Sequence, residues 1–270
     1  MEQFEMFSGL ELQSLVVFVL TLFVASLRVG AFLVASPFFG SKMVPLPVRI
    51  VFSIALGFGA LQYVNFPDYD VLTSAAIVPI IFQEIIIGLS CGMILSICFA
   101  TVILAGEKIA ATSGLAFAMQ IDPTNGAQSP VISQIFTLFL LLLFFTLNGH
   151  LVVFKLLYES YNFVPLNSLE TYQSIMELGL EASGIIYENA ILIVLPIVSL
   201  VFLMNLGIGF ITRSAPQLNL FSFGFPLTIM GAFFALYFSV DAIQFVFGEL
   251  IEQSLEYLKL VLLGGQNGSE

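Results

Sequence analysis

Charged residues are scarce along this chain. Only 9% of its 270 residues are Asp, Glu, Lys or Arg, whereas 59% are hydrophobic. A soluble domain needs a polar surface, and this composition does not supply one. The low charge therefore excludes an ordinary soluble protein and favours a membrane-type protein.

Basic residues are the rarest charged class. Lys and Arg total 7 against 18 Asp and Glu, which gives a formal net charge of −11. A protein that binds nucleic acid neutralises phosphates with clustered basic side chains. Nucleic acid is therefore excluded as a partner.

Cysteine and histidine are nearly absent, with 2 Cys and 1 His in the whole chain. Cys91 and Cys98 share one apolar run, and a helix would hold them two turns and about 10 Å apart, which is too far for a disulfide. A metal site lacks ligands, and no nucleotide-binding loop is found. We expect no metal, no cofactor and no catalytic residue.

Long apolar runs are the abundant feature. Each of six segments is long and apolar enough to suggest a membrane helix. The segments are 12–39, 48–63, 75–105, 131–147, 185–211 and 221–247. They predict an all-α membrane-type fold in a single domain over residues 1–270, with residues 264–270 as a frayed tail. Residues 167–184 have the pattern of an amphipathic helix that lies on a neighbouring surface or contacts a partner.

The basic residues predict an orientation. Lys42, Arg49, Lys108 and Arg213 follow the first, third and fifth segments, and only two further basic residues lie outside the first segment on the other side. By the positive-inside rule these four residues face the cytoplasm and both termini lie outside.

Ionisable residues inside apolar runs need partners, because a charge that faces lipid costs several kcal/mol. Arg28 is predicted to pair with Glu84 or Asp241, for assembly or as an ion relay. A solute or ion transporter would instead place Glu84, Glu188 or Asp241 at a site near the middle of the membrane.

The letters Gly88-Leu89-Ser90-Cys91-Gly92 match G-x-S-x-G, but a nucleophile elbow needs a strand, a sharp turn and a helix. Within an apolar run, the two glycines are more typical of close helix packing. An intramembrane hydrolase would need Ser90 to meet His150.

The stretch from Ala105 to Pro130 is the most informative part of the sequence. It begins with Glu107-Lys108, continues to a turn at Asp122-Pro123, and carries three bulky apolar side chains between two glycines. The apolar residues are Leu115, Phe117 and Met119, and the glycines are Gly114 and Gly126. Bulky side chains on a loop whose backbone can move suit a deformable seal, although an ordinary loop packed on the helices fits as well.

At this stretch the sequence resembles the FliR family of type III export-gate subunits, whose injectisome counterparts are the SctT proteins. Three groups of matching residues follow each other in chain order and cover nearly all the chain. They are Arg28, Pro37-Phe38-Phe39-Gly40 and Pro47-Val48-Arg49; then Ala105-Gly106-Glu107, Gly114, Phe117-Ala118, Asp122-Pro123, Gly126, Asn148-Gly149-His150 and Pro165; then Arg213 to Asn219 and Phe223 to Leu227.

The resemblance implies a subunit that helps to form and close a pore for unfolded proteins in the bacterial inner membrane, either in a flagellum, which the loop motifs favour, or in an injectisome. It implies helical hairpins like those of one FliP joined to one FliQ, and FliP, FliQ and FlhB type subunits as partners. Leu115, Phe117 and Met119 would then belong to the pore plug, which Gly114 and Gly126 allow to move and which Glu107, Lys108, Asp122 and Pro123 anchor. Arg213, Pro216, Gln217 and Asn219 would form a turn and a subunit contact.

Overall fold

The structure is a computed structural model that describes residues 2–41, 44–62, 69–75, 77–115, 130–164, 172–215 and 223–262. All regular secondary structure in these residues is helical. The helices are α1 (Glu2–Ala35), α2 (Leu46–Ala60), α3 (Tyr69–Thr73), α4 (Ile77–Ser113), α5 (Val131–Thr146), α6 (Gly149–Phe163), α7 (Tyr172–Ser214), α8 (Phe225–Phe238) and α9 (Val240–Leu262).

Three helical stretches in the described residues are long and apolar enough to cross a membrane: Gln13–Ala35, Ile77–Ser113 and Ile191–Ser214. Two consecutive pairs, α5 with α6 and α8 with α9, pass the same test as broken spans, each bent by 64°. The described residues therefore contain three to five candidate spans, and the predicted all-α membrane-type fold is confirmed.

The helix boundaries differ from the apolar runs in several places. The last run is divided at Ser239, where α8 ends. The backbone N–H of Ser239 donates to the carbonyl oxygens of Ala235 and Leu236. Helix α6 contains Lys155 and Glu159, so hydropathy alone did not place it among the apolar segments. Residues 172–183 are the first turns of the long helix α7, continuous with its apolar part.

The described helices group into two compact units by their contacts. One unit comprises Met1–Ser96, His150–Ala182 and Ser254–Glu270, and the other comprises Ile97–Gly149 and Ser183–Gln253. We call them the first and second units and describe each by itself.

In the first unit, glycines bring α4 close to α1. A Cβ atom added to Gly92 would lie 2.5 Å from Cβ of Ala35 and 2.9 Å from its carbonyl carbon. One at Gly88 would lie 2.8 Å from Cβ of Ala31, and Ser96 donates a hydrogen bond of 2.5 Å to the carbonyl oxygen of Ala35. The backbones approach closely only because these positions lack a side chain.

In the second unit, α4 packs on α5 in a similar way. A Cβ atom on Gly106 would lie 2.5 Å from Cα of Ser133, and the Ser133 hydroxyl donates to the carbonyl oxygen of Ile103 at 3.1 Å. Aromatic rings extend the contact, since Phe136 and Phe247 are 5.6 Å apart in an edge-to-face arrangement. The end of α4 and the start of α5 are thus held side by side.

The close approach of α4 to α1 makes Gly92 intolerant of a side chain. We expect Gly92→Ala to destabilise the chain by about 1–3 kcal/mol through overpacking against backbone atoms. The measurement is the thermal unfolding temperature of the full chain in detergent. Gly207→Ala is the matched control, because a Cβ there has no neighbour within 4 Å. Unfolding at the same temperature for both variants would contradict the packing described here.

Candidate functional site

Two features could carry function: a buried polar network in the first unit, and the two ends of the predicted plug loop in the second unit. The network contains Arg28 on α1, Glu84 on α4, and Ser160, Tyr161 and Val164 at the end of α6. It therefore joins three helices that are far apart in sequence.

Arg28 and Glu84 form a bidentate ion pair. Nε of Arg28 donates to Oε2 of Glu84 at 2.8 Å, and Nη2 donates to Oε1 at 2.6 Å. Two parallel N–H···O bonds match the planar guanidinium to the carboxylate, which makes this the strongest geometry for such a pair. Asp241, the other candidate partner, belongs to the second unit.

The remaining donors of Arg28 reach α6. Nη1 donates to the Ser160 hydroxyl at 2.7 Å, and Nη2 donates to the carbonyl oxygen of Val164 at 3.0 Å. The Ser160 hydroxyl in turn donates to the carbonyl oxygen of Leu157 at 2.6 Å. The guanidinium carbon also lies 4.0 Å from the ring centre of Tyr161. Arg28 thus binds a free carbonyl at the end of α6, where a cation is favourable.

The burial of its charged side chains limits the role of this network. The side chains of Arg28 and Glu84 are both 0% exposed. Removing one partner of such a pair would leave an uncompensated charge in an apolar interior. Because Glu84 already accepts two hydrogen bonds from Arg28, its carboxylate is committed to holding helices together. No pattern in the sequence points to Ser160, Tyr161 or Val164, because α6 mixes charged and apolar residues and does not stand out by hydropathy.

Asp241 differs from the expectation of a buried pairing group. Its side chain is exposed, in the first turn of α9. A carboxylate at a helix N-terminus is stabilised by the free N–H groups and by the helix dipole, so Asp241 needs no buried cation.

The first end of the predicted plug loop is held by side chains of the second unit. Gly114 ends α4 with φ of +85°, a left-handed conformation that favours glycine. A Cβ atom there would also lie 2.7 Å from the ring of Phe225. Thr228 on α8 donates to the carbonyl oxygen of Ser113 at 3.1 Å, and Asn205 on α7 donates to that of Thr112 at 3.3 Å.

The second end of the loop lies at the start of α5, where Pro130 is the N-terminal cap. Ser133, one turn later, contacts α4 as described above. The anchors seen in the structure are therefore Thr228, Asn205 and the packing of Gly106 on Ser133. This differs from the expectation for Glu107 and Lys108, whose side chains are exposed and form no ion pair within the described residues.

Several predicted site residues lie outside the described residues. These are Phe117, Met119, Asp122, Pro123 and Gly126 of the loop, and Pro216, Gln217 and Asn219 after α7. Of the neighbours that are described, Leu115 is half-buried, and Arg213 is exposed in the last turn of α7. A cation is favourable at that helix terminus.

Hydrolase chemistry has no support in the geometry of Ser90. The residue lies inside α4 and not at a turn between a strand and a helix, and its hydroxyl donates to the carbonyl oxygen of Ile86 at 2.8 Å. This bond within the helix uses the proton that a nucleophile would transfer. No group of metal-binding side chains occurs among the residues that the structure describes.

Comparison with known proteins decides the family. The model of the family "Bacterial export proteins, family 1" matches residues 19–254. The flagellar biosynthetic protein FliR of Escherichia coli (strain K12) is 34% identical over 204 residues, which cover 75% of this chain and 77% of that protein. The chain belongs to the FliR family of bacterial export proteins.

Other FliR-family relatives extend the match along the chain. FliR of Aquifex aeolicus is 30% identical over 212 residues, which cover 78% of this chain and 82% of the relative. FliR of Bacillus subtilis is 29% identical over 244 residues, which cover 87% of this chain and 92% of the relative. The family-model match over residues 19–254 includes both the buried network and the loop ends, and the predicted family is confirmed.

The buried pair predicts a specific pattern of mutational effects. We expect Arg28→Met or Glu84→Met alone to destabilise the chain by about 3–5 kcal/mol, because each leaves one buried charge unpaired. The double variant should recover most of that loss, since an apolar pair leaves no charge behind. The measurement is thermal unfolding in detergent together with the amount of chain in the membrane.

Lys155→Ala is the control for this experiment. Lys155 pairs with Glu159 at 3.7 Å, but its side chain is 73% exposed, so its loss should change stability by less than about 1 kcal/mol. If the double variant of Arg28 and Glu84 lost as much stability as the two single variants together, the two residues would not act as a pair.

Proposed function

We propose that the chain is a subunit of the flagellar type III protein export gate in the bacterial inner membrane. In this role it helps to form and close the pore through which unfolded flagellar proteins leave the cell. The observation that carries the proposal is the FliR-family match over residues 19–254, which includes both ends of the loop.

The anchored loop ends support a gating role. Gly114 and Pro130 mark the ends of a stretch that contains Phe117 and Met119. Because side chains of α7 and α8 hold the Gly114 end, a displacement of the loop can occur between fixed ends. In the closed gate, Phe117 and Met119 fill the pore and exclude water, and Gly126 allows the backbone to move aside.

Exposed apolar helix faces support assembly with other membrane subunits. Five large side chains on and beside one face of α8 are more than half exposed. They are Met230 at 57%, Phe233 at 53%, Phe234 at 57%, Tyr237 at 74% and Phe238 at 81%. Such a surface is covered by lipid or by protein. We propose FliP, FliQ and FlhB type subunits as the protein partners, with one copy of this chain in each gate.

Use in a flagellum is favoured over an injectisome, because the similar proteins named above are flagellar biosynthetic proteins. The environments of the acidic residues that a solute transporter would need argue against that function. Glu84 is neutralised by Arg28, while Glu188 and Asp241 have exposed side chains and are not enclosed in a site.

The first test of the proposal is the composition of the complex. The tagged chain is expressed with the other membrane proteins of its own flagellar locus, and the purified complex is weighed by native mass spectrometry. We expect one copy of this chain with several copies of two small helical partners. A lone monomer or a homodimer would contradict the proposal and would favour a transporter.

The plug role makes a separate prediction about leakage. In cells that make the whole gate, Phe117→Ala with Met119→Ala should raise ion leak through the resting membrane, because the small side chains no longer fill the pore. The measurement is conductance of vesicles that contain the gate. Leu138→Ala with Leu142→Ala is the matched control, since both side chains are exposed on α5, outside the loop. Equal conductance of both variants would contradict the plug.

A further inference from the structure

An apolar groove on the first unit remains unexplained by the export function. It runs between α1, α2 and α4 and has a volume of about 570 Å³. Its wall follows α1 from Val19 to Val34, which corresponds to about 22 Å of helix. The volume is typical of a small-molecule site, and the length exceeds the roughly 15 Å of one membrane leaflet.

The groove has one charged end. Arg49, half-buried in the first turn of α2, lines it beside Leu46, close to the end marked by Val34. The other polar side chains in the wall, Ser26 and Ser53, are satisfied by carbonyl oxygens of their own helices at 2.7 and 2.8 Å. The groove is therefore apolar along its length and cationic at one end.

Arg49 has a donor that is not used. One nitrogen, Nη2, donates to the carbonyl oxygen of Ser41, but the buried Nε–H finds no acceptor in the described part of the chain. No carboxylate pairs with it there, in contrast to Arg28. A buried N–H of a charged group without an acceptor is costly, which indicates a missing partner.

The helix end beside Arg49 also favours a negative charge. Helix α2 begins after Pro45, has no side-chain cap, and has no acidic residue in its first turn. Pro47 has no N–H, and the N–H groups of Val48 and Arg49 donate to the carbonyl oxygen of Pro45, so the helix dipole is the main feature of this end that attracts anions and repels cations. An arginine at this position is stabilised when an anion lies between it and the helix end.

We propose that the groove binds an anionic phospholipid, with its phosphate on Arg49 and one acyl chain along α1. A phosphate oxygen would accept the free Nε–H, and the apolar walls would enclose the acyl chain. A partner helix fits less well, since a helix about 10 Å wide and 15 Å long occupies roughly 1,200 Å³. The proposal does not depend on the export function.

The absence of tryptophan makes a direct test possible. Leu27, half-buried in the groove wall, is replaced by Trp in the full chain, which is reconstituted in phosphatidylcholine vesicles. In each experiment a minor fraction of the lipid, either phosphatidylglycerol or phosphatidylcholine, carries brominated acyl chains. Bromine quenches the fluorescence of a nearby Trp. We expect brominated phosphatidylglycerol to associate with the groove about fivefold more strongly than brominated phosphatidylcholine does.

Four further variants make the result specific. Arg49→Gln should abolish the fivefold preference, and Arg49→Lys should retain it because the charge remains. Arg213→Gln should leave it unchanged, since Arg213 does not line the groove. With Phe234→Trp in place of Leu27→Trp, neither lipid should be preferred, because Phe234 is an exposed residue on α8. Thermal unfolding of each variant checks that the chain is folded.

Two results would overturn the proposal. Equal quenching by both lipids at Leu27→Trp, unchanged by Arg49→Gln, would show that ordinary lipid fills the groove without a headgroup site. Quenching by neither lipid would show that protein covers the groove.

Discussion

The ion pair between Arg28 and Glu84 is the constraint on which the arrangement of the first unit depends. Neither residue can lie alone in an apolar helix, because an unpaired charge in a membrane or a protein interior costs several kcal/mol. The two helices must therefore place both residues at the same depth and on facing sides. The closeness of α4 to α1 follows from this requirement together with the glycines of α4.

Helix α6 is bound by the same guanidinium. Arg28 donates to Ser160 and to the carbonyl oxygen of Val164, so the end of α6 is fixed relative to the ion pair. Hydrogen bonds to buried charged groups are stronger than neutral ones. One side chain on α1 thus determines where two later helices lie, although 132 residues separate Arg28 from Ser160.

The second unit uses weaker interactions at the ends of the predicted plug loop. Thr228 and Asn205 bind carbonyl groups at the end of α4, and Gly114 turns the chain away from the helix. Each of these neutral hydrogen bonds contributes about 1 kcal/mol. In the proposed gate, these contacts hold the loop ends while the loop itself changes position.

The sequence predicted the helical membrane-type fold well, because long apolar runs have few other interpretations. It also placed Arg28 and Glu84 among the groups that need partners, since charges in apolar runs are costly. It did not predict α6 or the break at Ser239, because a mixed helix and a helix bend leave little trace in hydropathy. Thr228 and Asn205 were not foreseen either, since a hydrogen bond between distant helices depends on packing that no local pattern reveals.

The most direct test of this account is a cryo-electron microscopy map of the chain in its native membrane assembly, at a resolution that shows side chains. The account predicts that the guanidinium of Arg28 contacts the carboxylate of Glu84 through two hydrogen bonds, and that the end of α6 lies against the same group. A map in which Arg28 and Glu84 are separated, each bound to a different subunit, would contradict it.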